Sequence, residues 1–150
     1  MRQQCRITCN NPLNSEYVII GFHSTEIAAA SRPGCFYHLA VPRSETSLRV
    51  PISCYDVIGN EIFLLVKIIG EGTRCLAQLQ KEDTLDVMGP LGNSFTHVEG
   101  KRVLLVSGGV GYAPLRFLKR VLEENNEIRW VHGGRAEEDA MPADLICTED

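Results

Sequence analysis

A chain of 150 residues with 44% hydrophobic and 23% charged residues has an ordinary globular composition, and is long enough for one complete domain and part of a second. Its formal net charge of -4 and pI near 5.6, with Lys and Arg scattered along the chain, argue against a nucleic-acid partner. The longest apolar run, 62–66, is too short to cross a bilayer, and no apolar stretch backs the N-terminal Met1-Arg2-Gln3-Gln4-Cys5-Arg6, so no membrane is expected and the protein reads as cytoplasmic.

Up to Gly100 the chain reads as strands. Residues 3–9, 17–23, 35–41, 48–55, 61–69 and 84–88 are short runs rich in β-branched and aromatic residues, broken by turn signals such as Arg32-Pro33-Gly34 and Ile58-Gly59-Asn60. Six strands at that spacing predict a six-stranded antiparallel barrel. In the fourth, Pro51 removes a ladder donor and belongs at an edge or bulge, where backbone groups are left free to bond a planar ligand. Residues 73–80 break the pattern: Leu76 and Leu79 recur at helical spacing behind Thr73, which can cap a first turn. Gly72 and Thr73 would then place N–H groups and a hydroxyl at a helix N-terminus, a candidate anion site. Gly89-Pro90-Leu91-Gly92-Asn93-Ser94-Phe95 follows as a stiff, turn-rich link, with Phe95 a candidate apolar wall.

Beyond Gly100 strand and helix alternate. Val103-Leu104-Leu105-Val106 is a continuous apolar run of the kind buried on both faces, followed by Ser107-Gly108-Gly109-Val110-Gly111-Tyr112-Ala113-Pro114, an amphipathic helix carrying Leu115, Leu118, Val121 and Leu122, and a strand over 127–132. This is the opening of a parallel βαβ unit, and it divides the chain into a barrel domain, 1–99, and an incomplete α/β domain, 100–150. A glycine turn between a buried strand and a helix can hold a pyrophosphate on backbone N–H groups and the positive helix end, here with Pro114 where the usual third glycine stands. Arg135, after Gly133-Gly134, is placed either to touch an adenosine ribose or as a solvated surface residue.

The six cysteines contain no CxxC pair and read as small buried hydrophobes, with Cys5 and Cys9 expected on one face of the first strand. His23, His38, His97 and His132 have no evident partners, and no metal site or acid/base dyad competes with nucleotide binding.

Leu48-Arg49-Val50-Pro51-Ile52-Ser53, Gly70-Glu71-Gly72-Thr73-Arg74, Asp86-Val87-Met88-Gly89-Pro90-Leu91-Gly92-Asn93-Ser94-Phe95 and Leu104 to Leu115, in that order, resemble the ferredoxin-reductase superfamily, and within it the electron-transfer subunits of NAD-linked dihydroorotate dehydrogenases. The resemblance implies FAD contacts at Arg49, Pro51, Ile52 and Ser53, with Leu65, Val66 and Lys67 beside the flavin and Gly72 and Thr73 on its diphosphate. It implies a nicotinamide-nucleotide turn at Gly108, Gly109, Gly111 and Pro114, and electron exchange between NAD(H) and FAD. Single electrons would pass through a 2Fe-2S cluster to a catalytic dihydroorotate dehydrogenase subunit in a hetero-oligomer, serving pyrimidine biosynthesis. Two departures stand out. Val50 replaces the Arg that usually precedes the Pro-Ile-Ser unit, and Arg49, one residue earlier, should point to the opposite strand face. The cysteine-rich segment that ligates the cluster has no counterpart, and Cys147 alone cannot replace it, as a cluster needs four thiolates. A different flavin reductase subunit of the same superfamily, or a non-catalytic docking fragment, are the alternative readings.

Overall fold

The computed structural model describes residues 1–41 and 48–141; Cys147 lies outside the described residues. Six strands, β1 (Arg2–Pro12), β2 (Tyr17–His23), β3 (Phe36–Ala40), β4 (Arg49–Ile58), β5 (Glu61–Lys67) and β6 (Thr84–Leu91), close an antiparallel barrel in the order β1-β2-β5-β4-β3-β6. Alternation dictates the closure: Val18, Ile20, Phe22, Ile62, Leu64 and Val66 point inward and form one core with Tyr37, Leu39, Leu85 and Val87.

Two short helices seal the barrel. The first, α1 (Thr25–Ala30), was not expected from the sequence, although Ser24 gives its start: the Ser24 hydroxyl accepts from the Ile27 N–H at 3.2 Å and three alanines follow. The second, α2, runs Glu71–Ala77, two residues earlier than expected, because Gly70 is its N-cap and Thr73 lies in its first turn. The Thr73 hydroxyl reaches back to accept from the N–H groups of Ile69 (3.0 Å) and Gly70 (3.1 Å). That hydroxyl therefore closes the turn rather than standing free for an anion.

A bulge between Ile7 and Cys9 corrects the cysteine reading. The extra residue turns Cys9 to the outer face beside Tyr17 and Phe63, while Cys5 stays in the barrel core.

The second half pairs β7 (Arg102–Gly108) with β8 (Glu127–Gly133) in parallel, from Arg102 opposite Glu127 to Gly108 opposite Gly133, across the helix α3 (Ala113–Leu122). A 3-10 turn, Gly109–Tyr112, joins β7 to α3, and Pro114 sits in the first helical turn, where its missing N–H costs nothing. The double burial expected for β7 does not hold among the described residues: Leu105 is covered by α3, but Leu104 and Val106 are 62% and 66% exposed.

The helix α3 has two working faces. Leu115, Leu118 and Leu122 pack on the two-stranded sheet, whereas Phe117 and Val121 reach the barrel core. Between them the fully buried Asp56 of β4 accepts from Arg120 Nε at 2.8 Å and faces Arg116 at 3.6 Å, while Arg120 also donates to the Val57 carbonyl at 2.6 Å. An ion cluster thus fastens the second half to the barrel wall.

Candidate nucleotide-binding clefts

The first cleft opens in the barrel wall. Strands β4 and β5 pair from Ile58 opposite Glu61 to Cys54 opposite Leu64, and a bulge between Cys54 and Asp56 bends β4 within that ladder. Beyond it, 49–53 of β4 pair only with β3, and 65–67 of β5 only with β2. The backbone edges that face each other across this split have no ladder partner among the described residues, so Pro51 interrupts no bond there. Pro51 is exposed and Ser53 half-buried on the outer face, while Ile52 packs into the core. Leu65 and Val66 are both buried, on opposite faces of β5, so they can offer a ligand backbone but not side chain.

The start of α2 closes one end of the split. A Cβ on Gly72 would lie 2.7 Å from Val50 Cγ2, so only glycine lets β4 and α2 come this close. Position 50 therefore faces the start of the helix, and there this chain carries a methyl group instead of a cation. Arg49 does not compensate. Its guanidinium pairs with Asp86 Oδ1 at 2.7 Å and donates to the His38 and Asp86 carbonyls at 3.0 and 3.2 Å, across β3. Asp86 also takes a two-pronged contact from Arg2, and hydrogen bonding to Arg2, with Arg49 adding to it, holds its carboxyl down at about 2. The structure thus brings Pro51, Ser53, Val50 and Gly72 to one split and leaves Arg49 on the far side of it.

The second cleft, of about 580 Å³, lies at the carboxyl ends of β7 and β8, bordered by Gly108, Gly109, Val110, Gly133, Gly134, Arg135, Asp139 and Lys67. Open α/β sheets bind ligands at that end. Gly111 and Pro114 lie farther along the same turn and helix start and do not border the cleft.

Sequence reading passed over Asp139 and Tyr17 beneath this cleft. Asp139, 4% exposed, accepts at Oδ1 from the Tyr17 hydroxyl (2.5 Å) and Lys67 Nζ (2.9 Å), and at Oδ2 from the Arg135 N–H (2.8 Å). The Tyr17 and Lys67 bonds hold the Asp139 carboxyl well below the carboxylate range; Asp139 in turn raises the Lys67 ammonium, and burial raises the Tyr17 phenol. Lys67 also pairs with Glu16 at 3.0 Å and lies over the Tyr17 ring, 4.9 Å from its centroid. His132 Nε2 is 2.7 Å from the Asp139 carbonyl, which can only accept, so Nε2 carries the proton. His132 Nδ1 then accepts from Ser107 (2.8 Å), whose oxygen accepts from the Trp130 indole N–H (2.9 Å). The Tyr112 ring stacks on Trp130 at 4.2 Å and on Tyr55 at 6.3 Å, bridging the sheet to the barrel. Lys67, Arg135 and His132 stand out in the sequence, but Asp139 and Tyr17 do not, because the Tyr17–Asp139 and Lys67–Asp139 contacts join chain-distant elements that no local pattern announces.

A six-stranded barrel with a split wall, joined to a parallel βα unit with a glycine turn, is the ferredoxin-reductase-like fold. One chain of an NADH-dependent reduced ferredoxin-NADP oxidoreductase superposes with a TM-score of 0.83 at 30% identity, over 95% of this chain and 52% of its own length. A Neisseria gonorrhoeae ferredoxin NADP+ reductase with bound FAD and NADP shares the fold, with a TM-score of 0.74 at 15% identity over 92% of this chain and 59% of its own. Within that fold, the chain is a homologue of the electron-transfer subunits of NAD(+)-linked dihydroorotate dehydrogenase B. It is 35% identical over 119 residues to the subunit of Caldanaerobacter subterraneus subsp. tengcongensis, covering 79% of this chain and 47% of that protein. The chain spans about half the length of the curated relatives it matches. No family model matches it.

Proposed function

We propose that this chain, divided at 99/100, binds FAD along the β4/β5 split and NAD(H) at the glycine turn, and serves as the flavin-bearing part of a dihydroorotate dehydrogenase electron-transfer subunit. The observation that carries this reading is Lys67: it ends the strand that borders the split and also borders the cleft at Gly108 and Gly109, so one residue joins the two sites. Unpaired backbone at 49–53 and 65–67 suits a flat, hydrogen-bonding ring system, and Gly72 brings the first amides of α2 to the end of the same split.

When bound, FAD would supply the exchange between hydride transfer and single-electron transfer. The chain's own part is positioning. Pro51 and Ser53 present the outer face of β4, β5 supplies backbone beside it, and Gly108, Gly109 and Val110 border the cleft proposed for NAD(H). Among the described residues no group of three or more His, Cys, Asp or Glu side chains could hold a metal ion. The cluster and the catalytic partner would belong to the longer assembly. No helix of the described residues is long and apolar enough to cross a membrane; the setting proposed for the assembly is cytoplasmic.

The test is the visible spectrum of the purified chain after FAD addition, then anaerobic NADH titration. A flavin spectrum bleached by NADH supports both sites, and a chain that takes up no flavin overturns the reading. Val50 favours a second reading, a flavin reductase that holds its flavin loosely, because a methyl group at the diphosphate end contributes no charge-assisted bond. Turnover of free flavin in exchange with the medium, without a dihydroorotate-linked partner, would select it.

A further inference from the structure

Asp139 belongs to the second half by sequence and to the barrel by contact. Its carboxylate, 5% exposed, joins Tyr17 of β2 and Lys67 of β5 on one side to the Arg135 N–H on the other, and its backbone carbonyl accepts a hydrogen bond from His132 Nε2. Gly134 makes room for it, and Gly109 lies against it. A Cβ on Gly134 would fall 2.2 Å from Asp139 Cβ, and one on Gly109 would lie 3.6 Å from Asp139 Oδ1 and 3.7 Å from the Tyr17 hydroxyl. The carboxylate therefore lies beneath the glycine turn, wedged between it and the barrel. A neighbouring main-chain tie, the Asn14 side-chain amide donating to the Glu138 carbonyl at 3.0 Å, holds the same segment to the β1–β2 turn.

We infer that Asp139 is a positioning residue that docks the glycine turn on the barrel through Tyr17 and Lys67, and thereby sets the approach of a nicotinamide dinucleotide to the flavin. The inference rests on the proposed function above. Asp56 fastens α3 to β4 at the other side of the interface, but it lies against the outward stem of the helix and does not touch the turn. Tyr112 and Ala113 pack the turn on the barrel through apolar contact, whereas Asp139 supplies the charged contact wedged between the Gly109 turn and the barrel strands, and a shift of about 1 Å in such a contact is enough to slow transfer roughly a hundredfold. Lys67 has two carboxylate partners, Glu16 and Asp139; with Asp139 removed, Glu16 remains to hold its ammonium, so the barrel keeps its charge balance while the turn comes loose.

The experiment uses the whole chain loaded with FAD and two variants, Asp139→Asn and, to spare the second half itself, Tyr17→Phe. Trp130 is the single tryptophan and reports the second half; its fluorescence is followed through urea unfolding beside the far-ultraviolet signal of the barrel. In the parent chain the two transitions coincide. In both variants the Trp130 transition moves to lower urea and separates from the barrel transition, FAD affinity stays within twofold, and the bleaching rate at saturating NADH falls at least tenfold, with Asp139→Glu recovering part of it. Coincident transitions in both variants, or a bleaching rate within twofold of the parent, overturn the assignment. If the parent chain binds FAD and is never bleached, the proposed function fails, and the Trp130 transition by itself then decides whether Asp139 docks the two halves.

Discussion

The barrel and the βα half bury their apolar surface in different ways. The barrel closes on itself, with Phe22, Tyr37, Ile20 and Leu64 wholly inside. The βα half has two strands covered on one face by α3; Phe117, Val121 and Tyr112 pack it on the barrel, and polar contacts orient it there: Asp56 against Arg116 and Arg120, Asp139 against Tyr17 and Lys67. Apolar closure is non-directional and gives stability; ionic fastening is directional and gives orientation, because its energy is lost when geometry shifts. The proposed pair of nucleotide sites would use one region of each kind.

The largest expected effects separate the two. Phe22→Ala, which removes a fully buried ring set edge-on to Tyr37 at 5.7 Å, should cost about 3–5 kcal/mol and lower both halves together in a urea titration. Asp56→Ala leaves two arginines without their buried partner and should cost a similar ~3–5 kcal/mol, but with Trp130 fluorescence lost before the barrel signal. A single shared transition in that variant would show that the halves are joined by packing alone. Smaller, and confined to the first cleft, is Val50→Arg: a guanidinium facing the start of α2 should strengthen FAD binding roughly tenfold, the worth of one charge-assisted bond, while leaving riboflavin affinity unchanged. Equal gains for both flavins would place the diphosphate elsewhere. Gly72→Val is a poor probe of the same site, since its side chain would strike Val50 before any ligand.

Asp86 gives a pH test. Its carboxyl is lowered from 3.8 to about 2, so the pairing with Arg2 and Arg49 contributes fully above pH 4 and is lost as pH falls toward 2. The stability difference between the parent and Asp86→Asn, measured by thermal unfolding, should shrink across that window; a constant difference would mean the pair carries no net weight. The smallest effect is expected at Leu104→Ser on the bare sheet face, within about 0.5 kcal/mol.

Local pattern made most of the fold legible. Period-two runs marked all six barrel strands, and the glycine turn with Pro114 marked the strand-to-helix junction, because each signal lies within a few residues of the element it specifies. The short α1 left a weaker trace in Ser24 and its alanines. The bulge at Ile7/Cys9 left none, since the extra residue is counted only when the partner strand is present.

By itself the sequence determined which segments are strands, where the chain changes from barrel to βα, and which motif residues stand near each turn: hydrophobic period, glycine and proline act locally and need no partner. Only the tertiary structure decided that Arg49 is committed to Asp86, that Val50 faces Gly72, and that Tyr17, Lys67 and Asp139 meet beneath the glycine turn. Those pairings span 37, 22, 122 and 72 residues of chain. Charge and close packing act across whatever distance folding removes, and no period or motif in the sequence encodes a partner that far away.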